Sequence, residues 1–410
     1  MRVFTALLAP GDALSRYRAA LRLVPLGTET VPLREALDRV LTEDVVAGED
    51  LPPFSRSTVD GYAVRASDVA GAGAAPVTLR LLGEIRMGAP TDLVLHPSEC
   101  ARIPTGGMLP RGADAVVMQE DAERSEEQVT VRAAAAPGQN ILRRGEDVHT
   151  GEVVLPAGRR LRPQDLGILA GLGHAAVAVR IRPRVAVLSS GDEVVPAGRP
   201  VGPGQVRDMN TFTLHGLIQR AGGIPVPLPV VPDDLATVTD ALRRAAAAHE
   251  MVLISGGSSV GERDVVPQAV AALGPPGVVV HGVALRPGKP AVLGAVGATP
   301  VIGLPGNPVS AMVVFDLFAR PLLAELLGVA GDGPPGSRLR ARAAQAMRGA
   351  GQREDHVRVR LEERADGIWA EPLPAKSGLL TTMVRADGVV VVPAGATVEA
   401  GDEVEVRLLD

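Results

Sequence analysis

Between residues 184 and 329, short apolar runs alternate with amphipathic stretches, and this alternation leaves few folds open to the chain. Val185-Ala186-Val187-Leu188 and Met251-Val252-Leu253-Ile254 are unbroken apolar runs of strand length. Further strands are predicted at 226–231, 291–296 and 301–304. Between them, helical periodicity covers 210–221 and 234–249, a helix is expected to begin at Val265, and another spans 307–327. Strands without polar alternation are covered on both faces, and strands alternating with helices imply a largely parallel sheet. The stretch 290–315 has no charged residue and exceeds a bilayer span. However, Gly297, Pro300, Gly303, Pro305, Gly306 and Pro308 interrupt it, so it reads as two buried strands, a loop and a helix start.

The flanking text differs. Ala13, Leu14, Tyr17, Ala20 and Leu21 recur at helical spacing within 12–24, and a short helix is expected over 33–40. From Leu51 turn residues dominate, and β-rich runs follow at 77–85, 93–103, 114–118 and 128–133. A mixed pattern returns at 151–182, with a helix near 164–172. Gly331-Asp332-Gly333-Pro334-Pro335-Gly336 is linker text, and runs at 338–347, 356–363, 367–372, 388–392 and 403–408 predict a small all-β unit. The expected class is therefore α/β multidomain. Its units are a discontinuous one over 1–50 and 140–182, a β-rich one over 51–139, an α/β one over 183–330 and a β one over 331–410.

A chain of 410 residues with 46% hydrophobic content has enough material for several cores. Its net charge of −5 supplies no global field for nucleic acid or acidic membranes, and 2% aromatic residues leave few platforms for base stacking. One cysteine, Cys100, excludes an intrachain disulfide and a cysteine-built zinc site, and is read as a buried structural thiol. Residues 1–5 lack an apolar signal core, so the cytoplasm is the expected compartment.

In an open parallel sheet, ligands bind beyond the carboxyl ends of strands. Three such ends carry glycines and hydroxyls: Ser189-Ser190-Gly191-Asp192-Glu193; Ser255-Gly256-Gly257-Ser258-Ser259-Val260-Gly261-Glu262-Arg263-Asp264; and Pro305-Gly306-Asn307-Pro308-Val309-Ser310. Glycine lets backbone approach an anion, and amides at a helix start hold phosphate oxygens. Each loop alone reads more readily as an ordinary tight turn; three at one sheet edge point to a site. Asp192, Glu193 and Asp233 read as solvated turn charges or as ligands of a hard cation, and Asp208 and Asp264 as helix caps or part of the same set. Arg286-Pro287-Gly288-Lys289 offers two cations on a stiff turn, suited to an oxyanion.

Two other loops, Ser55-Arg56-Ser57-Thr58-Val59-Asp60-Gly61 and Arg143-Arg144-Gly145-Glu146-Asp147, join acids to hydroxyls or arginines, but spacing assigns neither a reaction. No Walker A motif, dinucleotide fingerprint, HExxH pairing or Gly-x-Ser-x-Gly elbow is present, which removes support for the corresponding enzyme classes.

Taken in order, several segments resemble the MoeA family of molybdopterin molybdenumtransferases, which includes the C-terminal domain of gephyrin. They are Ser57-Thr58-Val59-Asp60-Gly61-Tyr62-Ala63, Pro104-Thr105-Gly106, Val116-Val117-Met118-Gln119-Glu120, Arg143-Arg144-Gly145-Glu146-Asp147, Ser190-Gly191-Asp192-Glu193, Asp208-Met209-Asn210, Ser255-Gly256-Gly257 with Val260-Gly261, Pro287-Gly288-Lys289-Pro290 and Leu304-Pro305-Gly306-Asn307-Pro308-Val309-Ser310. The resemblance implies an elongated discontinuous domain, a β domain, a molybdopterin-binding α/β domain and a C-terminal β barrel. It also implies a homodimer whose sites lie between the α/β domain of one chain and the β domain of the other.

The implied reaction inserts molybdate into adenylylated molybdopterin and releases AMP, with Mg²⁺. Asp60, Asp147, Asp192, Glu193, Asp264 and Lys289 would be catalytic, with Asp192, Glu193 and Asp264 holding the metal. Thr105, Ser190, Gly191, Asp208, Asn210, Asp233, Ser255, Gly256, Gly257, Gly261, Arg286, Pro305, Gly306, Asn307, Pro308, Ser310 and Ser377 would bind the substrate. Arg286 stands where the family often has Lys, and Gly282, beside His281, where some members have another Lys. Implied partners are the preceding adenylyltransferase and molybdoenzyme-specific chaperones, with no nucleic acid and no membrane. The alternatives are that adenylyltransferase step itself, a gephyrin-like scaffold without activity, or tungstate insertion.

Overall fold

Val185, Val187 and Leu253 point to one side of a sheet and Ala186, Leu188, Val252 and Ile254 to the other; all are buried, as strands covered by helices on both faces require. The computed structural model describes residues 7–256, 265–330, 338–349 and 351–409. Its central sheet has six strands in the order Ile224–Pro227, Arg184–Ser189, Met251–Ser255, Thr299–Leu304, Val292–Val296 and Pro276–His281. The first four are parallel, and Val292–Val296 runs antiparallel to both of its neighbours. Gly297, with φ at 59°, permits the tight hairpin from Val296 to Thr299.

Each face has its own core. Tyr17, Leu214, Phe315 and Phe318 cover one; Val238, Leu242, Val266 and Val270 cover the other. Burial of each large side chain contributes about 1.5–3 kcal/mol. Helix Pro10–Leu21 brings Ala13, Tyr17 and Leu21 into the first core, and the Tyr17 hydroxyl donates to the Gly294 carbonyl at 2.7 Å.

Strands Thr28–Pro32 and Ala176–Arg180 pair antiparallel, as do Val45–Val46 and Val153–Leu155, so residues far apart in sequence share one core. Between them in sequence lies a second six-stranded sheet, in the order Ala115–Met118, Gly61–Val64, Glu99–Ile103, Val77–Glu84, Gln128–Val131 and Ala122–Ser125. Cys100 is fully buried there, and desolvation pushes its thiol up to about 12, which suits an inert packing group. At the C-terminal end, Glu354–Arg364, Gly367–Pro372, Arg338–Ala343, Glu403–Leu408 and Gly388–Val392 close into a five-stranded barrel. Strand Leu285–Arg286 of the α/β unit attaches to its outside, parallel to Glu354–Asp355.

Several expectations are corrected. The strand expected at 226–231 is Ile224–Pro227, and Val231 makes only a bridge to Ser190. Prolines at 225, 227 and 229 lack N–H donors, which confines this strand to an edge. The opposite edge, Pro276–His281, lies in proline- and glycine-led text that predicts no strand. Over 33–40 only a 3₁₀ turn, Leu33–Glu35, forms; Asp38 adopts φ of 62°, and Val40 and Leu41 then bridge Arg160 and Val179. The run at 93–103 shortens to Glu99–Ile103. The helix over 307–327 is interrupted by a π turn, Phe315–Ala319, just before Pro321, whose ring cannot follow a regular α turn. No described helix is long and apolar enough to cross a membrane.

Candidate functional site

Ser190, Gly256 and Gly306 meet at one edge of the central sheet because their strands are neighbours. Ser190 N donates to Ser255 O at 2.8 Å, Gly256 N to Leu304 O at 3.3 Å, and Gly191 N to Val231 O at 3.1 Å. Gly256 holds φ of 98°, and a Cβ there would sit 2.0 Å from the Ser190 carbonyl oxygen, so only glycine fits. A Cβ on Gly306 would lie 4.0 Å from the Gly256 Cα, which shows how closely these two loops approach. Asn210 Nδ2 donates to the Gly306 carbonyl at 2.9 Å and ties the third loop to the start of helix Asn210–Arg220.

Beneath this edge lies a set of hydroxyls, on buried Ser189 and Ser255 and half-buried Thr211. Ser189 Oγ is 3.2 Å from both Ser255 Oγ and Thr211 Oγ1. The Asp208 carboxylate accepts from Thr211 N at 3.0 Å and Thr211 Oγ1 at 2.6 Å. Asp208 thus takes the capping option and turns its oxygens into the protein. By contrast, Ser190 Oγ and Asn210 Oδ1 are buried without a hydrogen-bond partner among the described residues. Buried polar atoms of native proteins are ordinarily paired, so two unpaired atoms at one strand-end cluster leave hydrogen-bonding capacity open there among the described residues.

Asn307 is the N-cap of helix Pro308–Val314 but makes no side-chain cap bond. Pro305 and Ser310 are buried, while Gly306 is exposed. Val309 N donates to the Ser377 carbonyl at 3.3 Å, which brings a barrel loop to the third strand end. Asp192, Glu193 and Asp233 are exposed, and Asp192 Oδ1 accepts from Asp233 N at 3.4 Å. No group of three or more metal-ligating side chains occurs among the described residues. Gly257, Gly261 and Asp264 lie outside the described residues. Lys289 is half-buried, and its carbonyl accepts from Val283 N at 2.9 Å. Arg286 is not a solvated loop cation: it pairs with Asp355, whose side chain is only 4% exposed.

Asp60 stands apart, in the second sheet. Thr105 donates to its Oδ1 from N at 2.7 Å and from Oγ1 at 2.9 Å, and these bonds, backbone first, hold the carboxyl below its ordinary value. Its stability contribution is present above the unfolded pKa and is lost as pH falls through the lower folded value. Replacing Thr105 with Val should raise the Asp60 titration midpoint partway, since the backbone donor stays; an unchanged midpoint by carboxyl NMR would refute the assignment. Asp147 is exposed, with its amide donating to Leu51 O at 3.0 Å. Neither Asp60 nor Asp147 makes a hydrogen bond to the strand-end loops of its own chain among the described residues.

Sequence reading passed over Asp355 and Arg358. Arg358 is 2% exposed and donates from Nε to Thr382 Oγ1 at 3.0 Å and from an Nη to the Pro374 carbonyl at 2.6 Å. The only available signal was a dense charge run, Arg353-Glu354-Asp355-His356, entering a strand.

Three family models match in sequence: the MoeA N-terminal region (domain I and II) at residues 9–173, a probable molybdopterin binding domain at 186–325, and the MoeA C-terminal region (domain IV) at 340–409. A Mycobacterium tuberculosis protein named molybdopterin molybdenumtransferase 2 is 37% identical over 92% of this chain and 94% of its own length. A Haemophilus influenzae molybdopterin molybdenumtransferase is 39% identical over 74% of each chain. The solved molybdopterin biosynthesis MoeA protein of Pyrococcus horikoshii superposes with a TM-score of 0.83 at 31% identity, covering 98% of this chain and 100% of that one. These likenesses span nearly the whole length, and the chain belongs to the MoeA family.

Proposed function

We propose that this enzyme inserts molybdenum from molybdate into adenylylated molybdopterin, releasing AMP. The observation that carries the reading is the convergence of Ser190, Gly256 and Gly306 at one sheet edge, with Ser190 Oγ and Asn210 Oδ1 buried and without a hydrogen-bond partner among the described residues. Glycine backbone and serine hydroxyls at strand ends suit a phosphate-bearing substrate. Ser255, Gly256, Gly306, Asn307, Pro308 and Ser310 would contact it, with Asp208 and Pro305 shaping the wall. Arg286 and Lys289 would draw in the molybdate oxyanion. The substrate brings its own dithiolene sulfurs, so buried Cys100 need take no part.

The exposed carboxylates Asp192 and Glu193 are hard oxygen donors of the kind Mg²⁺ takes, but with Asp233 they form no three-ligand group among the described residues, so a Mg²⁺ site here would need Asp264 or the substrate's phosphate oxygens to complete it. When bound, such an ion would neutralise charge on the phosphoanhydride oxygens. The chain's own residues bind and orient: the loops fix the phosphates, and Asp60 and Asp147 supply fixed negative charge. Because neither acid makes a hydrogen bond to the strand-end loops of its own chain among the described residues, a second copy of the chain is proposed to bring them there, as a homodimer. The division into units at 1–50 with 140–182, 51–139, 183–330 and 331–410 belongs to this reading. So do a cytoplasmic setting, supply by an adenylyltransferase and hand-off to molybdoenzyme chaperones.

The test is AMP release by purified protein given adenylylated molybdopterin, with and without molybdate. Release that depends on molybdate is the expected result. Adenylylation of molybdopterin from MgATP, with no molybdate-dependent AMP, would reject insertion in favour of the preceding step. Tungstate run in competition settles which oxyanion is preferred.

A further inference from the structure

The most deeply buried acid at the junction of barrel and α/β unit is Asp355, 3% exposed. The junction is backbone-built: Leu285 and Arg286 pair in register with Glu354 and Asp355, and Glu354 N donates to the Ala284 carbonyl at 2.9 Å. This register sets the Arg286 guanidinium against the Asp355 carboxylate as an ion pair. Arg358 lies within electrostatic reach of both. Burial pulls its guanidinium below the ordinary value, Asp355 opposes that, and Arg286 adds to it. Asp355 forms its ion pair with Arg286, while the buried Arg358 is a second cation nearby that bonds to Thr382 and Pro374, and the pair lies three residues along the chain from Lys289.

Energetics decide what the carboxylate does. Removing the partner of a buried charge costs several kcal/mol, so Asp355 does not release Arg286 to a ligand. Arg286 retains 38% side-chain exposure, and among the described residues neither its buried Nε nor Asp355 Oδ2, the oxygen facing its Nη2, makes a hydrogen bond, so the two are held as an ion pair. A guanidinium is a planar fork whose use to an oxyanion depends on orientation, and fixing it beforehand lowers the ordering cost of binding. A lysine, as a point charge, needs no such fixing.

We infer that Asp355 is a positioning residue: from the barrel it clamps the Arg286 guanidinium in the orientation that receives a tetrahedral oxyanion. The inference rests on the proposed function, which makes Arg286 part of the oxyanion site. It follows that the charged pair is a functional joint between barrel and α/β unit as well as a structural one.

Molybdate binding to the full-length protein, followed by calorimetry, tests this together with steady-state AMP release. Asp355→Asn should weaken molybdate binding about tenfold, a loss of the size expected when a clamped group is set adrift. The KM for molybdate should rise correspondingly, with kcat changed much less. Arg286→Ala should weaken binding at least as much, and the double variant no further, because Asp355 acts only through Arg286. Unchanged or tighter binding by Asp355→Asn, or additive losses in the double variant, would overturn the inference. If Asp355→Asn does not fold, Asp355→Glu decides: it keeps the charge but moves the carboxylate by one methylene and so misdirects the fork, and wild-type molybdate affinity in folded Asp355→Glu overturns the proposal. Wild-type protein that neither binds molybdate nor releases AMP in its presence would reject the proposed function itself, an outcome distinct from the others.

Discussion

Asp60→Ala is expected to lower molybdate-dependent AMP release at least about a hundredfold, the scale on which fixed active-site charges act, while leaving the fold intact. Asp60 is exposed, so its removal opens no cavity. Its two bonds from Thr105 keep it ionised and fixed in direction, which suits a group that positions charge and ill suits one that must take up a proton. Asp60→Asn should therefore fail nearly as badly as Asp60→Ala.

The shared-site geometry adds a sharper outcome. Asp60→Ala and Asp192→Ala chains, each inactive, should regain about a quarter of wild-type activity when mixed and allowed to re-assort equally. Half of the dimers are then mixed, and one of their two sites has both halves intact. No recovery in mixtures shown to exchange subunits would place Asp60 and Asp192 in separate or same-chain sites.

Gly256→Ala should be the most damaging single change at the sheet edge. An alanine there meets the Ser190 carbonyl oxygen at 2.0 Å and must also hold φ at 98°. Overlap with backbone cannot be relieved by a side-chain rotation, so strands 184–189 and 251–255 must separate at their ends. The cost is roughly 3 kcal/mol or more, in the range of strained-backbone and overpacking substitutions. The control is Gly274→Ala, where φ is similarly positive at 93° but nothing lies within 4 Å of the added carbon. It should cost only about 1 kcal/mol, the conformational strain alone. Hydrogen exchange separates the two: the Ser190 and Gly256 amides should lose protection in Gly256→Ala and keep it in Gly274→Ala. Equal protection in both variants would show that the close approach does not constrain the loop.

Local chemistry made much of this architecture readable. Apolar runs at 185–188 and 251–254 admit little but buried strands, and glycines and hydroxyls directly after them mark the ligand end of a parallel sheet. The uncharged stretch at 290–315 was readable as two strands and a helix start because proline and glycine punctuate it. Where proline-rich text forms strands, at Ile224–Pro227 and Pro276–His281, local preference gave no clear guide, since an edge position removes the need for some of the missing donors.

The sequence by itself determined which residues line the strand ends, because strand, turn and helix start are consecutive along the chain and each is fixed by its own neighbours. Tertiary structure decided which of them face a ligand and which face inward. Asp208 spends its oxygens on Thr211, whereas Ser190 and Asn210 each keep a buried polar atom unpaired among the described residues. The partner of Arg286 was decided at the same level. Asp355 lies 69 positions away, and the two meet only because a two-residue strand of the α/β unit pairs with the outside of a closed barrel. Pairing over such a separation depends on the packed surfaces of both units and leaves no periodicity in either segment to announce it.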